Sequence, residues 1–600
     1  MSLELSTCMP TAAVPCNFTC CSNGFGVSER VYYGQPQMGF GTEAVIQVIA
    51  LGLILAGGLL NMWNPALVKP KSALAPLFYQ RIGTGTFLRV TPTEALGVLC
   101  IIAFYVARFI GFYRLYEPYE TSLEPGYPGS NGRARAAAQA LEQIWYVALP
   151  IQISLAMKNM WWWWLAALPV ERASVYHNYH GYAMCLVLIA AWICYAIGGL
   201  TTRGLTSRFC FCDINPLGGL ISLICQCLLT MMSLPIVRRK YWEYFYLMGH
   251  FQLLFPMMWG MFFYDRVSIL PFYVVSFATW GWSDLPMRAF MKVAQPTRVL
   301  DVSIKNDNVA CLKMTKVRAD GTGKTLGLLS RQWEAGSYVW IAVAMPNANP
   351  LKGQAPAPFN KDWACYHPMT ISSAPILADG SPAKDFTIHV KSMGPDTWSQ
   401  ALVDKIAQMQ RDGVGTDTLK VWVGGPNGKL AFAPYDCDRV VLVAGGIGVT
   451  PMIALMQELK IRARLGQPVP EVDFVYTERS LENFSAFDDA LTYLTSDSDR
   501  DSTAPPFSIK LYCTQPGTKG DSDMAVQGLK VVAGRPKFVD LLADASTAKG
   551  TMKGFDASKR LTVGVYTCGP PKMMADVRTA VQGASNSSAR FYLHEETFEL

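Results

Sequence analysis

Long uncharged apolar runs constrain the fold of this chain more than any other feature of its sequence. Nearly all of them lie before residue 290, whereas the remainder reads as soluble α/β sequence. Each run is close to the roughly 20 residues that a helix needs to cross the hydrocarbon core of a bilayer. The runs predict seven transmembrane helices, near residues 43–63, 93–115, 140–158, 174–198, 217–236, 242–264 and 268–287.

Charged residues between the runs predict how these helices are oriented. The loop after the first run is basic, with Lys69, Lys71 and Arg81, whereas the loop around Glu117 is acidic. Basic loops stay on the cytosolic side of a membrane. We therefore expect a multi-pass membrane protein with an extracytosolic N-terminus and a cytosolic C-terminus, in the plasma membrane rather than an internal one.

Composition narrows the class of partner. The net charge of +7 is modest and scattered, which gives no support for a nucleic-acid partner. We therefore expect the lipid bilayer as a partner and no nucleic acid, and the sequence does not indicate an oligomeric state. The 16 cysteines are too dispersed for a single disulfide framework. A cluster in residues 1–42 predicts an extracytosolic tail in which disulfides can persist: Cys8, Cys16, Cys20 and Cys21.

Histidine is rare in this chain, yet three of the six histidines lie in two apolar runs. His177 and His180 share one run, and His250 lies in another. An imidazole is costly to place within a bilayer and usually marks a functional site. Two histidines on facing helices can ligate a haem iron from both sides. The alternative is that these are ordinary interfacial histidines bonded to carbonyl groups.

The C-terminal part of the chain changes its pattern twice. Short alternating runs between about 295 and 432 predict the strands of a β-barrel. From about 437, strands alternate with helices, beginning with the buried strand Val440 to Ala444. A glycine-rich turn, Gly445-Gly446-Ile447-Gly448, follows this strand and opens a helix. Glycines at such a turn let a dinucleotide pyrophosphate approach the backbone and the helix N-terminus.

Short motifs occur in a fixed order from the membrane part to the C-terminus. The first are His177-x-x-x-Gly181 and the segment from Ser233 through Arg238, Arg239, Tyr241, Glu243 and Phe245 to His250. They are followed by His-Pro-Met-Thr-Ile-Ser-Ser, by a Gly-Gly-Pro-Asn-Gly turn, by Cys-Gly-Pro-Pro and by a closing His-Glu-Glu-Thr-Phe. Together, over roughly residues 143 to 600, these motifs resemble the ferric reductase and NADPH oxidase family.

For the flavin, the resemblance implies a site built chiefly on one motif, in which Met369 replaces the family's phenylalanine. Its residues are His367, Pro368, Met369, Thr370, Ile371, Ser372 and Ser373. The histidine and threonine contact the flavin and its ribityl chain, and the small residues leave backbone amides free for the pyrophosphate. Lys391 and Gly394 stand where the family's second flavin strand contacts the diphosphate. The resemblance therefore implies FAD as a cofactor.

For the nucleotide, the resemblance implies a site made by two turns. The residues concerned are Gly445, Gly446, Gly448, Thr450, Pro451, Cys568, Gly569 and Pro570. The turn at Cys568 borders the nicotinamide in the family, which implies a catalytic role for this residue. Phe598 matches an aromatic residue that covers the flavin until the nicotinamide displaces it, which makes it the second catalytic candidate.

Two arginines decide which nucleotide is expected. Arg479 and Arg535 stand where arginines favour the 2′-phosphate of NADPH, because a guanidinium fork matches a phosphate group. The alternative is that either arginine is a solvated surface charge. The resemblance therefore implies NADPH as the electron donor.

For the haem, the chain departs from the family. The family places two histidines 13 or 14 residues apart on each of two helices, which hold two stacked haems. This chain keeps His177 and His250, but Ala191 and Phe263 occupy the second positions. The resemblance therefore implies one haem b. The alternative, a second haem, needs substitute ligands such as His180, Cys194, Met257 or Met258.

These expectations add up to a multidomain protein. We expect an N-terminal all-α membrane helix bundle, then an FAD-binding β-barrel and a ferredoxin-reductase-like α/β NADPH-binding domain. The predicted boundaries are 1–42 for the tail, 43–290 for the seven-helix haem domain, 295–432 for the flavin domain and 437–600 for the nucleotide domain. The implied function is electron transfer from NADPH through FAD and haem to a ferric or cupric ion. The alternatives are superoxide production from oxygen and a degenerate regulatory membrane protein.

Overall fold

The computed structural model describes most of the chain after residue 69. It describes residues 69–81, 90–122, 131–156, 170–200, 214–240, 245, 252–264, 272–276, 278, 296–318, 332–343, 367–395, 397–495, 507–516, 524–547 and 559–596. The cysteine-containing tail, the first predicted span, His250 and Phe598 lie outside the described residues. The described residues belong to two compact units, one within Leu96–Met160 and Ala173–Ser283 and the other within Gly58–Ala95, Trp161–Arg172 and Asp284–Leu600.

The described part of the chain before residue 265 is helical. Its helices are α1 (Ala75–Tyr79), α2 (Pro92–Ser122), α3 (Gly132–Ala156), α4 (Val170–Tyr195), α5 (Ile214–Ser233), α6 (Pro235–Lys240) and α7 (Leu254–Tyr264). Among the described residues, the helical stretches Pro92–Thr121 and Ala173–Gly198 are long and apolar enough to cross a membrane. Both coincide with predicted spans.

Helix α2 starts where its sequence carries a capping box. The Thr91 hydroxyl accepts a hydrogen bond from the Glu94 amide, and the Glu94 carboxylate accepts one from the Thr91 amide. This reciprocal pair satisfies amides that the first turn of a helix otherwise leaves unbonded. Beyond it, Leu96, Leu99 and Ile102 are at least half exposed, as expected of a helix surface that faces lipid.

An apolar cluster holds the helices of the first unit together. Most of its buried members come from α3, α4, α5 and α7, among them Trp145, Leu149, Met184, Leu188, Cys225, Met257, Met258 and Met261. A buried ion pair lies at one end of these helices, where Arg135 donates to the Glu120 carboxylate at 2.6 Å and to the Gly198 carbonyl oxygen at 3.0 Å. Both charges are thus paired, which burial requires.

The first sheet of the second unit has six antiparallel strands. They are β1 (Thr297–Lys305), β2 (Val309–Arg318), β3 (Tyr338–Val343), β4 (His367–Thr370), β5 (Asp385–Lys391) and β6 (Val421–Asn427), in the spatial order β4-β3-β6-β1-β2-β5. An isolated bridge between Ile371 and Ile388 brings the two edge strands together. Helix α8 (Trp398–Arg411) packs Leu402 and Ile406 into the core of this sheet.

The second sheet of the same unit is mostly parallel. Its strands are β7 (Arg439–Gly445), β8 (Glu471–Glu478), β9 (Phe507–Cys513), β10 (Ala525–Val526), β11 (Leu529–Ala533), β12 (Leu561–Cys568) and β13 (Ala589–Glu596), in the order β10-β11-β9-β8-β7-β12-β13. Its helices are α9 (Val449–Arg464), α10 (Asp488–Thr495), α11 (Phe538–Thr547) and α12 (Pro571–Ala584). Every pairing in it is parallel except that of β10 with β11.

Strand β7 is buried on both faces of this sheet. Val440 and Leu442 pack into the core that contains α9, while Val441 and Val443 pack into the core that contains α11 and α12. Successive side chains of a strand point to opposite faces. A strand covered by helices on both sides therefore reads as a continuous apolar run, which is how the sequence predicted it.

Residues 69–81, which include α1, pack on the second sheet. Ala75 is fully buried in its core, and the Tyr79 ring lies 5.2 Å from that of Phe432 and 5.6 Å from that of Tyr592. Arg81 pairs with Glu595, whose carboxylate also accepts from Arg578 at 2.6 Å. The first basic loop therefore stabilises strand β13 by burial and by charge.

We expect Arg81→Met to lower the free energy of unfolding by about 1–3 kcal/mol, because the nearly buried Glu595 carboxylate loses one of two cationic partners. The measurement is a urea titration of the full-length protein, followed by flavin fluorescence. Lys69→Met is the matched control, because its pair with Asp436 is more exposed and should change stability by less than about 0.5 kcal/mol. Equal effects of the two variants would contradict the assignment.

Candidate functional site

Two turns meet at the carboxyl edge of the parallel sheet. Gly445 ends β7, Gly446 adopts a left-handed φ of 56°, and Gly448 precedes helix α9. A Cβ at Gly448 would lie 2.4 Å from the Cys568 carbonyl oxygen, and one at Gly445 would lie 2.7 Å from Pro570. The missing side chains therefore let the turn after β7 lie directly against the turn after β12.

The predicted arginines lie along the same edge of the sheet. Arg479 directly follows β8, the strand next to β7, and Arg535 follows β11. Both residues are exposed. Thr477 lies opposite Gly445, and its hydroxyl is buried without a hydrogen-bond partner among the described residues. Backbone amides, a free hydroxyl and two cations thus share the edge at which open α/β sheets bind ligands.

Cys568 is the last residue of β12 and is fully buried. It lies opposite Ala444 on one neighbouring strand and Glu596 on the other. Burial, together with the negative charge of Glu596, holds the pKa of the Cys568 thiol well above its usual value. The thiolate is the nucleophilic form of cysteine, and these surroundings disfavour it.

The predicted flavin strand presents polar groups that lack partners. Thr370 on β4 and Asn427 on β6 both lie opposite Tyr338 of β3, so the three residues form a row across the sheet. Within the described residues, Thr370 Oγ1, both polar atoms of the Asn427 amide and His367 Nε2 are buried without a hydrogen-bond partner. Buried polar groups are normally bonded. This row fits a ligand that supplies its own donors and acceptors, as FAD does.

A ring contact joins the two halves of the predicted flavin site. The His367 ring stacks on Trp398, with centroids 4.0 Å apart and planes 23° apart. Trp398 begins helix α8, for which the Thr397 hydroxyl accepts the capping bond. Gly394 precedes this cap with a φ of 112°, and Lys391 ends β5. Burial lowers the pKa of His367 to about 3, so its imidazole is neutral.

The three motif residues that follow β4 are bonded to strand β5. Ile371 bridges to Ile388, and the Ser372 hydroxyl donates to the Thr387 carbonyl oxygen. Ser373 accepts a hydrogen bond from the Thr387 amide at 3.0 Å. On the nucleotide side, the Thr450 hydroxyl donates to the Ile447 carbonyl oxygen, and Pro451 follows it in the first turn of α9.

In the membrane unit, His177 and His180 share one polar neighbour, Gln152 of α3. His177 Nδ1 lies 2.9 Å from the Gln152 carbonyl oxygen, and His180 Nδ1 lies 2.7 Å from Gln152 Oε1. The Tyr105 hydroxyl of α2 lies 2.6 Å from His180 Nε2. Nearby, Arg238 donates to the side-chain oxygen of Asn178 at 3.3 Å, which joins two parts of the membrane motif.

Sequence reasoning missed five of these residues. Gln152 was a detectable signal, because it is a polar amide within an apolar run. Asn427 was seen only as part of a turn. Tyr105, Trp398 and Thr477 gave no local signal, because each acquires its role from a residue that is distant in sequence or on another strand.

Comparisons with known proteins match both parts of the chain. The family model of the ferric reductase like transmembrane component matches residues 143–260. The model of the ferric reductase NAD binding domain matches residues 437–582.

Several curated relatives are about one quarter identical to this chain. Dual oxidase 2 of Rattus norvegicus is 25% identical over 46% of this chain and 19% of its own length. The chloroplastic ferric reduction oxidase 7 of Arabidopsis thaliana is 24% identical over 50% of this chain and 37% of its own. NADPH oxidase 1 of Rattus norvegicus is 25% identical over 39% of this chain and 40% of its own length. The chain thus spans less than half the length of these relatives.

Solved structures also resemble the chain. The FAD/NAD-binding domain of a nitric oxide dioxygenase from Vibrio cholerae is 15% identical, with a TM-score of 0.31, over 50% of this chain and 99% of its own. A ferredoxin NADP+ reductase from Neisseria gonorrhoeae is 12% identical, with a TM-score of 0.29, and the match covers 50% of this chain and 98% of that structure.

The two matched domains define a membrane protein of the oxidoreductase class, with a transmembrane component and a nucleotide-binding component. The two matched domains and the curated relatives are those of the ferric reductase and NADPH oxidase family. The resemblance that the motifs indicated is thereby confirmed.

We expect Gly448→Ala to weaken NADPH binding at least ten-fold and to lower stability by about 1–3 kcal/mol, because its Cβ meets a backbone carbonyl oxygen. Binding is measured by titrating the purified protein with NADP+, and stability by thermal unfolding. Gly583→Ala is the control, because this exposed helical glycine has no atom within 4 Å of its added Cβ. Wild-type affinity in Gly448→Ala would contradict the proposed approach of the nucleotide.

We expect stability to fall as the pH decreases from about 6.5 to about 4, partly through His389. Burial lowers the pKa of His389 to about 4, with Lys305 adding to this effect and Asp489 opposing it. Its unfolded pKa is higher, so unfolding takes up a proton in this range, worth about 1.4 kcal/mol per pH unit. His389→Gln, which retains a polar group near Ser372, should flatten the dependence of the melting temperature on pH. An unchanged slope would contradict the assignment.

Proposed function

We propose that this protein passes electrons from NADPH through FAD to a membrane-embedded haem b, and from the haem to a ferric or cupric ion. The observation that carries the proposal is a set of buried polar groups on the first sheet, at His367, Thr370 and Asn427, that have no hydrogen-bond partner among the described residues. It occurs in the same unit as the two touching turns of the parallel sheet. One unit thus offers both a flavin site and a dinucleotide site.

At the flavin site, the chain's own residues bind and orient. Bound FAD supplies the conversion of a two-electron hydride transfer into single-electron steps. His367 is held by its stack on Trp398, with a neutral ring and Nε2 available for hydrogen bonding. Thr370 and Asn427 offer further polar groups. Lys391 and Gly394, which precede α8, would contact the diphosphate. The six strands of the first sheet would then form the flavin-binding barrel.

At the nucleotide site, the residues position the donor. The turn at Gly446 would present its amides to the pyrophosphate, next to the N-terminus of α9. Arg479 and Arg535 would bind the 2′-phosphate. The buried, protonated Cys568 would border the nicotinamide as a neutral wall without covalent chemistry. Phe598, two residues beyond the last described residue of β13, is the proposed cover of the flavin.

In the membrane unit, His177 and His250 would hold one haem, whose chemistry is one-electron transfer. The contact of His177 Nδ1 with a carbonyl oxygen supports this role, because ligating histidines usually donate their other ring nitrogen in this way. Support for a single haem comes from the second pair of positions. Ala191 is fully buried, Phe263 lies on α7, and Met257 and Met258 are packed in the apolar cluster.

The proposed topology follows from the basic loops and the seven predicted helices. The N-terminal residues 1–42 would lie outside the cytosol, and the flavin domain (295–432) and nucleotide domain (437–600) would lie within it. Relatives named as NADPH and dual oxidases and as a ferric reduction oxidase support both acceptor classes, metal and oxygen. We propose that the protein lies in the plasma membrane and that a metal ion accepts its electrons.

The test is the haem-to-FAD ratio of the purified full-length protein, by pyridine haemochrome and FAD release. We expect a ratio near one, and we expect His177→Ala to remove the haem Soret band while NADPH still reduces the flavin. His180→Ala is the matched control and should retain the band. A full band in His177→Ala would refute this ligand assignment, and no haem in the wild type would favour the regulatory alternative.

The acceptor is tested on the same preparation. We expect NADPH-driven reduction of a ferric chelate at a rate that superoxide dismutase does not change. Inhibition by the dismutase would instead indicate that oxygen accepts the electrons and that superoxide reduces the chelate.

A further inference from the structure

The strand beside the glycine turn ends in a pair of residues that indicate two different nucleotides. Glu478 is the last residue of β8, and Arg479 directly follows it. In dinucleotide-binding folds, an acidic residue beyond the glycine turn bonds the ribose 2′-hydroxyl of NADH, whereas a nearby arginine accommodates the 2′-phosphate of NADPH. This chain has both side chains at one edge of the sheet, so their orientations decide which of them a nucleotide would meet.

The Glu478 side chain is turned into the protein. Glu478 is 5% exposed, whereas Arg479 is exposed. One carboxylate oxygen, Oε1, accepts a hydrogen bond from the Tyr476 hydroxyl at 2.8 Å. The other oxygen, Oε2, accepts a hydrogen bond from the Arg479 main-chain amide at 3.3 Å. Both oxygens are therefore bonded at the end of the strand, as a buried carboxylate requires.

Tyr476 is held in place by the core. It is fully buried, and its ring lies 5.1 Å from that of Phe484 in an edge contact and 6.1 Å from that of Phe474 in a stack. Burial, together with the charge of Glu478, holds the pKa of the Tyr476 hydroxyl well above its usual value, so the hydroxyl keeps its proton. The tyrosine is therefore a fixed donor that is directed at the Glu478 carboxylate.

The backbone beside both predicted arginines is secured by the turn after β9. The Gln515 amide donates to the Arg479 carbonyl oxygen at 2.9 Å. The Cys513 carbonyl oxygen accepts from the Gly534 amide at 2.7 Å, one residue before Arg535. A phosphate group would meet two exposed guanidinium groups on an anchored backbone, with the neighbouring carboxylate turned away from it.

We propose that Tyr476 determines nucleotide specificity, because its hydroxyl keeps the Glu478 carboxylate inside the protein and leaves the arginines to receive a 2′-phosphate. This inference rests on the proposed function, since it needs a nicotinamide nucleotide at this edge. Without the hydroxyl, a buried carboxylate oxygen loses its partner, which favours turning the charge towards water. The exposed edge begins at the next residue, Arg479. A carboxylate there would repel a 2′-phosphate and could accept a hydrogen bond from the 2′-hydroxyl of NADH.

The decisive variant is Tyr476→Phe in the full-length protein, because phenylalanine keeps the ring and removes only the hydroxyl. The measurement is the rate of flavin reduction by NADPH and by NADH, each over a range of concentrations. We expect the ratio of kcat/KM for NADPH to that for NADH to fall at least about ten-fold, through a higher KM for NADPH at unchanged kcat. A ratio equal to that of the wild type would overturn the proposal.

Tyr566→Phe is the matched control. Tyr566 is also a fully buried tyrosine of the parallel sheet, and its hydroxyl donates to the Phe432 carbonyl oxygen at 2.9 Å. Its removal costs a comparable hydrogen bond but releases no carboxylate. We therefore expect a similar loss of thermal stability in both variants and a wild-type nucleotide ratio in Tyr566→Phe. An equal fall of the ratio in both variants would overturn the proposal, because it would assign the change to a general loosening of the sheet.

A second substitution tests whether the carboxylate is the cause. Glu478→Gln introduced into Tyr476→Phe removes the negative charge at nearly unchanged shape, so we expect the ratio to return to within about three-fold of the wild type. Glu478→Gln alone should keep the preference for NADPH, because the amide can donate to the Tyr476 oxygen and accept from the Arg479 amide. A ratio that stays low in the double variant would overturn the role of the carboxylate.

Failure of this inference is distinguishable from failure of the proposed function. If the wild type prefers NADPH and Tyr476→Phe keeps that preference, the positioning role is wrong and the choice of NADPH stands. If the wild type prefers NADH, the choice of NADPH is itself wrong, and the role of Tyr476 is overturned with it.

Discussion

The approach of Gly448 to the Cys568 carbonyl oxygen is the contact on which the second unit depends. Two parallel strands can place their following turns in contact only if one turn lacks side chains at the point of closest approach. With Gly445 and Gly448 the backbone of one turn packs on the backbone of the other. Where the two turns meet, the edge of the sheet is therefore lined by main-chain groups and by a buried thiol, and the exposed arginines lie further along it.

The membrane unit follows a different constraint, because lipid offers no water to satisfy polar groups. Several of its described polar side chains are accordingly bonded in compact groups. Arg135 and Glu120 form one such group, and Gln152 forms another with the two histidines. A polar group placed in this way costs little stability and retains a defined geometry. Such defined geometry is what a metal ligand needs and what an isolated imidazole in lipid would not have.

Much of the fold of the second unit can be predicted from the local sequence. The strand Val440 to Ala444 and the helix that begins near Val449 are found where the apolar run and the glycine turn predict them. The family, and with it the order of domains, also follows from short motifs. Periodicity and turn chemistry are properties of neighbouring residues, so they can be read without the fold.

Contacts between distant residues could not be predicted in this way. The stack of His367 on Trp398 joins a strand to a helix beyond the next strand. The bond between Tyr105 and His180 joins two helices. Gln152 illustrates the boundary, since its polarity within an apolar run marks it as unusual but does not reveal that it contacts two histidines. Such roles depend on packing geometry, which a linear pattern does not contain.

The burial of Cys568 has a chemical consequence for a redox protein. Oxidants attack the thiolate form of cysteine, and they need access to the sulfur atom. Cys568 offers neither, because it is fully buried and its pKa is raised by burial and by Glu596. Under the proposed function, single-electron transfer to metal ions or oxygen would generate damaging by-products close to the cofactors. A buried, protonated thiol resists such oxidants. The proposed nucleotide site would therefore keep a small, polarizable side chain that is not easily oxidised.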